Sequence, residues 1–460
     1  MPARAERTVA AQVDSHQGRL ARVLGFRDLV VLVIGTVIGS GIFLVPGAVL
    51  RQVGNSVPLA TAAWLTGGLL SLLGALTCGE LSAMKPQAGG LYVYIRDCFG
   101  PFLAFLFGWT LFFVISSGSV ATLAVAFSNY FAGEFVPLNL WMARLVSVLV
   151  ITVIAVVNVL GTRRSADLQD VTTAVKVAAI VLMASALMWL GKGSSVASAA
   201  PHDLGAGGYA SGFGLAMISV LWAYEGWQYA TFSAGEAIHP QRSFPLAFLV
   251  GSAALIAIYL LANFGYLAAL GPAGVSASDR VAAAAVSRVI GPAAAKLVAL
   301  TILLSIFSAA NAIVLTASRV YYAMAADRLF FKRLAEVHPR FKTPAFSVLA
   351  CAVWSAVLAV TGTFEQLLTY VVFIGWIFYA LAAGTVFVYR KREPEAQRPY
   401  RVPGYPVTPA LFMVAAAGLV VNTVVTQPGR AAAGIAIVLL GAPAYAAWRR
   451  KERLACRPPV

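Results

Sequence analysis

The chain has 460 residues, of which 60% are hydrophobic and only 11% charged, with a mean hydropathy of +0.81. Soluble domains carry about 25% charged and 45–50% apolar residues, so this balance excludes a water-soluble globular protein and describes a polytopic membrane protein. The formal net charge of +16 invites a nucleic-acid reading, which its distribution along the chain makes unnecessary.

Residues 1–24 read as a cytoplasmic N-terminal tail. Arg4, Arg7 and Arg19 alternate there with Asp14, His16 and Gln17, and no short apolar core with a cleavage site follows, which argues against a signal peptide. Stretches of about 20 apolar residues then recur, each bounded by charge, proline or glycine, the pattern of bilayer-spanning helices. They predict twelve transmembrane helices, near 27–50, 58–84, 101–131, 141–160, 166–191, 213–237, 244–270, 292–324, 344–361, 366–389, 409–426 and 431–448. Residues 272–290 are too interrupted to span and predict a short surface helix. Residues 449–460 form a second cytoplasmic tail.

With both ends in the cytoplasm, 26 of the 34 Lys and Arg residues fall on that side, Arg319 among them. Arg51, Arg144, Lys192, Arg280, Arg288, Lys296 and Arg430 fall outside, and Lys176 lies within a span. This is the positive-inside distribution. Cys78 and Cys351 lie in spans and Cys98 and Cys456 on the cytoplasmic side, so no external disulfide framework is expected. The histidines (His16, His202, His239 and His338) sit near loops without partner ligands. Phosphate cradles, zinc spacings and hydrolytic triads are absent, so neither a catalytic residue nor a metal or cofactor is expected.

Two interruptions recur at matching places. In span 1, GTVIGSGIFLVPG (35–47) puts Gly39, Ser40 and Gly41 at mid-span; in span 6, WAYEGW (222–227) puts Glu225 and Gly226 there. Five spans separate them, an odd number, so two copies of a five-helix unit would be inverted relative to each other. Paired interruptions of this kind point to an inverted-repeat transporter site. The competing reading is a G-xxx-G packing pair, Gly35 and Gly39, which leaves Ser40, Gly41 and the glutamate unexplained.

A break at mid-membrane frees backbone groups, tolerated only where protein or a water-filled cavity satisfies them. Beyond the break, the N–H groups of Ser40, Gly41 and Ile42 stand at the positive end of a helix dipole, a carboxylate site. Before it, the carbonyls of Val37 and Ile38, with those of Trp222 and Ala223, are expected to be unpaired acceptors that suit an ammonium. The α-amino acid zwitterion fits both.

The same residues carry a resemblance. VIGSGIF (37–43), GELSAMKPQAGGLYVYIRDCFGPFLAFLFGW (79–109), WAYEGWQYATFSAGEAIHP (222–240), SRVYYAMAADRLFFKRLAEVHPRFKTP (318–344) and RPYRVPGYPVTP (398–409) resemble, in order, motifs of the amino acid–polyamine–organocation superfamily. The branch most resembled is that of the L-type amino acid transporters and their bacterial relatives. The resemblance implies an all-α, LeuT-like five-plus-five inverted repeat with helices 1 and 6 unwound, its halves at 25–191 and 213–389 and helices 11–12 (409–448) outside it. It implies sodium-independent amino acid transport by alternating access, commonly as exchange. By position, backbone at Val37, Ser40 and Gly41 would hold the substrate, Trp222 would gate it, and Lys176 would stand where sodium sits in sodium-coupled relatives.

Lys176 lies about ten residues inside span 5, where a charge costs at least ~2.5–3.5 kcal/mol. Either an ion pair with Glu225 or carbonyls and hydroxyls near the span-1 break would hold it. Glu225 departs from the family pattern. It would select cationic side chains, bind a proton, or hydrogen-bond the unwound backbone; acidic substrates are disfavoured by repulsion. The loop 129–141 lacks the cysteine through which animal members of this branch bind a single-span subunit. A chain working without such a subunit, as a monomer or weak homo-oligomer in a bacterial inner membrane, is therefore expected. A proton-coupled symporter and a non-transporting amino acid sensor are the alternatives. A channel would need a continuous polar path, and an enzyme a reactive cluster.

Overall fold

The computed structural model describes residue 20 and residues 22–191, 205–362 and 364–455. The N-terminal tail before residue 20, the loop 192–204 with Lys192 and His202, and Cys456 lie outside the described residues. Apolar runs in a bilayer must satisfy their backbone internally, and among the described residues every regular element is a helix. In chain order these are α1 (Phe26–Val37), α2 (Gly41–Leu44), α3 (Pro46–Gln52), α4 (Val57–Met84), α5 (Leu91–Phe99), α6 (Pro101–Thr110) and α7 (Ser116–Glu134). Then come α8 (Leu140–Val159), α9 (Thr162–Leu190), α10 (Gly205–Ala223), α11 (Tyr229–Phe232), α12 (Pro240–Ser276) and α13 (Val281–Val289). Last are α14 (Pro292–Ala326), α15 (Ala345–Thr361), α16 (Phe364–Arg392), α17 (Val407–Thr426) and α18 (Pro428–Ala455).

Among the described residues, ten helical segments are long and apolar enough to cross a membrane, and two shorter apolar helices, Gly207–Ala223 and Ala345–Thr361, stand sixth and ninth. The twelve fall where the apolar runs predicted them, with differences that have local causes. The sixth begins at Gly205 rather than 213, because GAGGYASGFG is helical despite its glycines. A π-helical turn, Leu111–Ile115, joins α6 to α7 inside the third span; its residues look like any apolar helix, so no sequence signal marked it. Helix α12 reaches Ser276 past a kink at Gly271, whose φ is +68°. Helix α13 falls within 272–290, where a short surface helix is expected, and Val281, Ala282, Ala283, Ala285 and Val286 bury one face of it.

The inner helices pack α12 against α4 and α9, and α14 against α7 and α9. Outer faces stay apolar: Leu145, Leu149 and Val153 of α8, Val414, Val421 and Val425 of α17, and Leu439 and Leu440 of α18 are exposed. Such stripes face lipid rather than water. At the face carrying the termini, loops stitch the spans together. Glu80 at the end of α4 accepts from Arg390 Nε at 2.9 Å and Nη2 at 2.7 Å, and from the Val402 backbone at 2.7 Å. Two of the quoted motifs, GELSAM and RPYRVPGYP, therefore meet. On α5, Arg96 reaches Asp327 at 2.6 Å and Tyr92 reaches it at 2.8 Å; burial and the Asp327 charge hold the Tyr92 phenol above its ordinary range. Burial pushes the Cys98 thiol up to about 11.

Candidate functional site

Helix α1 stops at Val37. Ile38 is extended, with φ −74° and ψ 91°, Gly39 and Ser40 form a bend, and helix resumes at Gly41. The break is thus Ile38–Ser40, one residue earlier than the GSG reading, with Gly41 inside the second half-helix. Val45 keeps a helical backbone, and its N–H bonds Gly41 O at 2.9 Å while Val49 N–H bonds Val45 O. Helices α2 and α3 therefore run on as one polar-ended piece from Gly41 to Gln52. Among the described residues, the N–H groups of Gly39, Ser40, Gly41 and Ile42 find no hydrogen-bond acceptor, which leaves the positive end of this piece open.

Span 6 breaks after Ala223. Tyr224–Gln228 form turns before the short helix α11. The two breaks cross. A Cβ on Gly41 would stand 2.6 Å from Ala223 Cα, and one on Gly226 would stand 2.8 Å from the carbonyl carbon and oxygen of Thr36. Gly226 also has φ +134°, a conformation that L side chains rarely adopt. Gly35 serves packing, since a Cβ there would strike the Gln169 and Thr173 side chains.

The acceptors at the end of α1 are not vacant, contrary to the sequence expectation. Lys176 Nζ, fully buried, donates at 2.7 Å to both Gly35 O and Ile38 O. Ser305 Oγ of α14 donates to Ile38 O at 3.1 Å and is 3.3 Å from Gly39 O. Tyr259 OH of α12 lies between Val37 O at 3.1 Å and Ala223 O at 2.9 Å. Trp222 O accepts from Glu225 N at 3.1 Å. Side chains from three other spans thus hold the broken ends, and the cation sits at the negative end of α1, where a helix dipole favours it. Lys176 has no ion pair with Glu225. Among the described residues, the carbonyl of Thr36 has no hydrogen-bond donor.

Glu225 is held from below. Its Oε1 accepts from Gln228 Nε2 and from Tyr379 OH of α16, each at 2.5 Å, and Gln228 Nε2 lies 2.7 Å from Tyr379 OH. Among the described residues, Glu225 Oε2 has no hydrogen-bond donor. A narrow cavity at the crossing is lined by Val37, Gly39, Ser40, Gly41, Trp222 and Glu225, with Thr36, Ser119, Leu123, Ala309 and Ile313 completing it. Ser40 Oγ is buried there without a partner, and a buried orphan hydroxyl in a cavity calls for a ligand or water. Of the residues expected at the site, Ile38 and Ile42 are buried beside the cavity without lining it, Ala223 packs against Gly41, and Lys176 acts on the backbone from behind.

Above Trp222 and Leu123, a vestibule lined by Ser219, Ala126, Ala48 and Arg280 opens to the face opposite the termini. The other end is shut. Arg319 and Glu236, 0% and 1% exposed, form a two-pronged pair at 2.8 Å and 3.1 Å. Thr162 at the start of α9 joins them: its hydroxyl lies 2.8 Å from Arg319 Nη2 and 3.2 Å from Glu236 Oε1. The N–H groups of Val23 and Leu24 both bond Glu236 O at 2.9 Å. Arg319 is therefore no loop cation, as its neighbours Arg328, Lys332 and Arg333 are; it is a buried partner of the span-6 motif.

An amino acid permease family profile matches residues 24–442. The serine/threonine exchanger SteT of Bacillus subtilis is 30% identical over 443 residues, 96% of this chain and 100% of that protein. The human b(0,+)-type amino acid transporter 1 is 30% identical over 92% of this chain and 86% of its own length. The human cystine/glutamate transporter is likewise 30% identical, over 92% of this chain and 85% of its own. With two broken helices crossing at a narrow cavity and a match over nearly its whole length, the chain belongs to the amino acid permease family, whose members are membrane transporters and not enzymes.

Proposed function

We propose that the chain exchanges small neutral α-amino acids across a membrane without sodium, by alternating access around the crossing of spans 1 and 6. The observation that carries this reading is the row of unpaired N–H groups from Gly39 to Ile42 beside the orphan Ser40 hydroxyl. Donors at the positive end of a half-helix suit a carboxylate. The ammonium then falls to Thr36 O and Glu225 Oε2, since Val37, Ile38, Trp222 and Ala223 carbonyls already accept bonds. Trp222 and Leu123 cap the side chain, and Ala309 and Ile313 leave little room for a large one. Lys176 supplies, as a fixed cation on the Gly35 and Ile38 carbonyls, the charge that sodium would otherwise bring.

The two halves form an inverted pair in this reading, 25–191 and 213–389, the second extended back to Gly205 by the start of α10, and the charge distribution supports a cytoplasmic placement of both termini. The membrane is a bacterial inner membrane. No disulfide-linked subunit is needed: the loop between α7 and α8 has no cysteine, and Cys78, Cys98 and Cys351 are buried and free. A second reading, transport of cationic amino acids, is favoured by Glu225 lining the cavity with only its Oε1 engaged, by Gln228 and Tyr379.

The test is counterflow. Purified protein in sodium-free liposomes preloaded with unlabelled amino acids is expected to take up labelled serine, alanine or threonine only when internal amino acid is present. Uptake into empty vesicles driven by an inward proton gradient would make it a symporter. Saturable binding without uptake would make it a sensor, and preferential exchange of lysine or arginine would establish the second reading.

A further inference from the structure

Beside the closed end, the α8–α9 loop, the first turn of α9 and the turn 338–343 form an open pocket of about 380 Å³. Arg163, Arg164, Arg340 and Lys342 line it, and no carboxylate does. Arg163 is neutralised by Asp167 at 2.6 Å and Asp28 at 3.2 Å. The other three cations have no acidic partner among the described residues; Arg340 only overlies the Phe341 ring, 5.5 Å from its centroid. Three like charges around one space repel unless an anion joins them.

The surrounding backbone is fixed in place. His338 Nδ1 accepts from the N–H groups of Arg340 at 3.3 Å and Phe341 at 3.2 Å. The N–H of His338 bonds Thr343 O at 2.8 Å, and Thr343 Oγ1 bonds Val159 O at 2.9 Å, pinning the turn to the end of α8. Topogenic charges need only sit on the correct side of the membrane; they need no shared pocket and no locked turn. Next to the cations, Leu160 lines the pocket and is 38% exposed, and Val156 one turn earlier is 52% exposed on the lipid face. The pocket thus stands where acyl chains end and headgroups begin.

We propose that this pocket binds the phosphate of an anionic phospholipid headgroup through Arg164, Arg340 and Lys342, with the acyl chains running along Leu160 and Val156. Basic pockets at a membrane surface recognise such headgroups. The pocket also touches the closure, because Thr162 lines it and holds the Arg319–Glu236 pair. A bound headgroup steadies the first turn of α9 and favours the closed end.

The test is lipid retention, which depends neither on transport nor on the identity of the transported amino acid. Full-length protein is equilibrated in detergent with phosphatidylglycerol and phosphatidylethanolamine of identical acyl chains, and bound lipid is read by native mass spectrometry. The wild type is expected to retain phosphatidylglycerol at least about tenfold in preference. Arg164→Gln/Arg340→Gln/Lys342→Gln is expected to lose that preference while unfolding at the wild-type temperature in phosphatidylethanolamine alone. The single change Lys342→Gln, on an exposed side chain, is expected to weaken it in part. Undiminished retention by the triple variant overturns the site. Stabilisation of lipid-free wild type by inorganic phosphate alone, equal to that by phosphatidylglycerol, overturns the lipid as source. Slower hydrogen exchange at residues 20–24 and 236–238 in phosphatidylglycerol, absent from the triple variant, supports the link to closure; equal slowing in both overturns it.

Discussion

Replacing Glu236 by Gln removes one charge from the closed end without changing its shape. Arg319 would keep its place in a site where both partners are at most 1% exposed, so water cannot solvate the guanidinium. Breaking a buried pair from one side costs about 3–5 kcal/mol, mostly the uncompensated charge. The pair joins the end of span 6 to α14 and, through Thr162, to α9, so the loss falls on the closed arrangement. At 1.4 kcal/mol per tenfold, the balance between closed and open ends moves by about two to three and a half orders of magnitude. The assay is hydrogen–deuterium exchange in lipid nanodiscs, read over residues 20–30 and 229–238, beside thermal unfolding. Glu236→Gln is expected to speed exchange at Val23, Leu24 and Ile238, whose N–H groups bond across this closure, and to lower the unfolding temperature. The double variant Glu236→Gln/Arg319→Gln, which strands no charge, is expected to regain most of the unfolding temperature while exchange stays fast. Wild-type exchange in Glu236→Gln would refute the reasoning, because the pair would then contribute nothing to closure.

Further expectations concern the crossing itself. Gly41→Ala must move the Ala223 backbone, and overpacking of this kind costs about 1–3 kcal/mol; apparent substrate affinity is expected to fall at least about tenfold, whereas Gly418→Ala, with open space around its Cβ position, leaves it unchanged. Glu225→Gln keeps the shape and the bonds to Gln228 and Tyr379, so a selective loss of lysine and arginine competition in uptake assays marks contact with cationic side chains, and an unaltered substrate profile marks a purely structural carboxylate. Lys176→Ala strands Gly35 O, at about 1–3 kcal/mol for a buried unpaired carbonyl, and leaves Ile38 O with Ser305 Oγ as its remaining donor; exchange rate is expected to drop at least about a hundredfold with protein still recoverable, and a variant that fails to fold would make Lys176 a structural residue only.

How far the sequence reached depended on distance along the chain. The spans were legible because bilayer solvent forces an apolar length on each of them. The two breaks were legible because glycine, serine and a glutamate at mid-span have no cheap place in a continuous helix. Lys176 was legible by its cost, and its hydrogen bonds to the span-1 carbonyls are one of the two environments the sequence allowed. What was hidden is who satisfies the broken ends. Tyr259, Ser305 and Tyr379 come from spans 7, 8 and 10, and a tyrosine or serine in a transmembrane helix gives no local sign of its partner. The free carbonyls expected at Val37 and Ala223 were therefore filled by a residue far away in sequence. Arg319 was misplaced for a related reason: it stands only a few residues before true loop cations, and nothing nearby announces Glu236. The Gly205–Gly212 stretch fell outside the expected span because glycine lowers helix propensity in water, a preference that the membrane overrides by denying the backbone other partners.

The central claim is that the open positive end at Gly39–Ile42 holds a carboxylate while Thr36 and Glu225 hold the ammonium. It is tested most directly by competition against labelled serine counterflow with three ligands of one shape: serine, its primary amide, and the hydroxy acid lacking the amine. The account predicts that serine competes while both analogues lose at least about a hundredfold in potency, since each strands one set of polar groups. Equal competition by serine and its amide would contradict it, because the unpaired N–H groups would then have no carboxylate to bind.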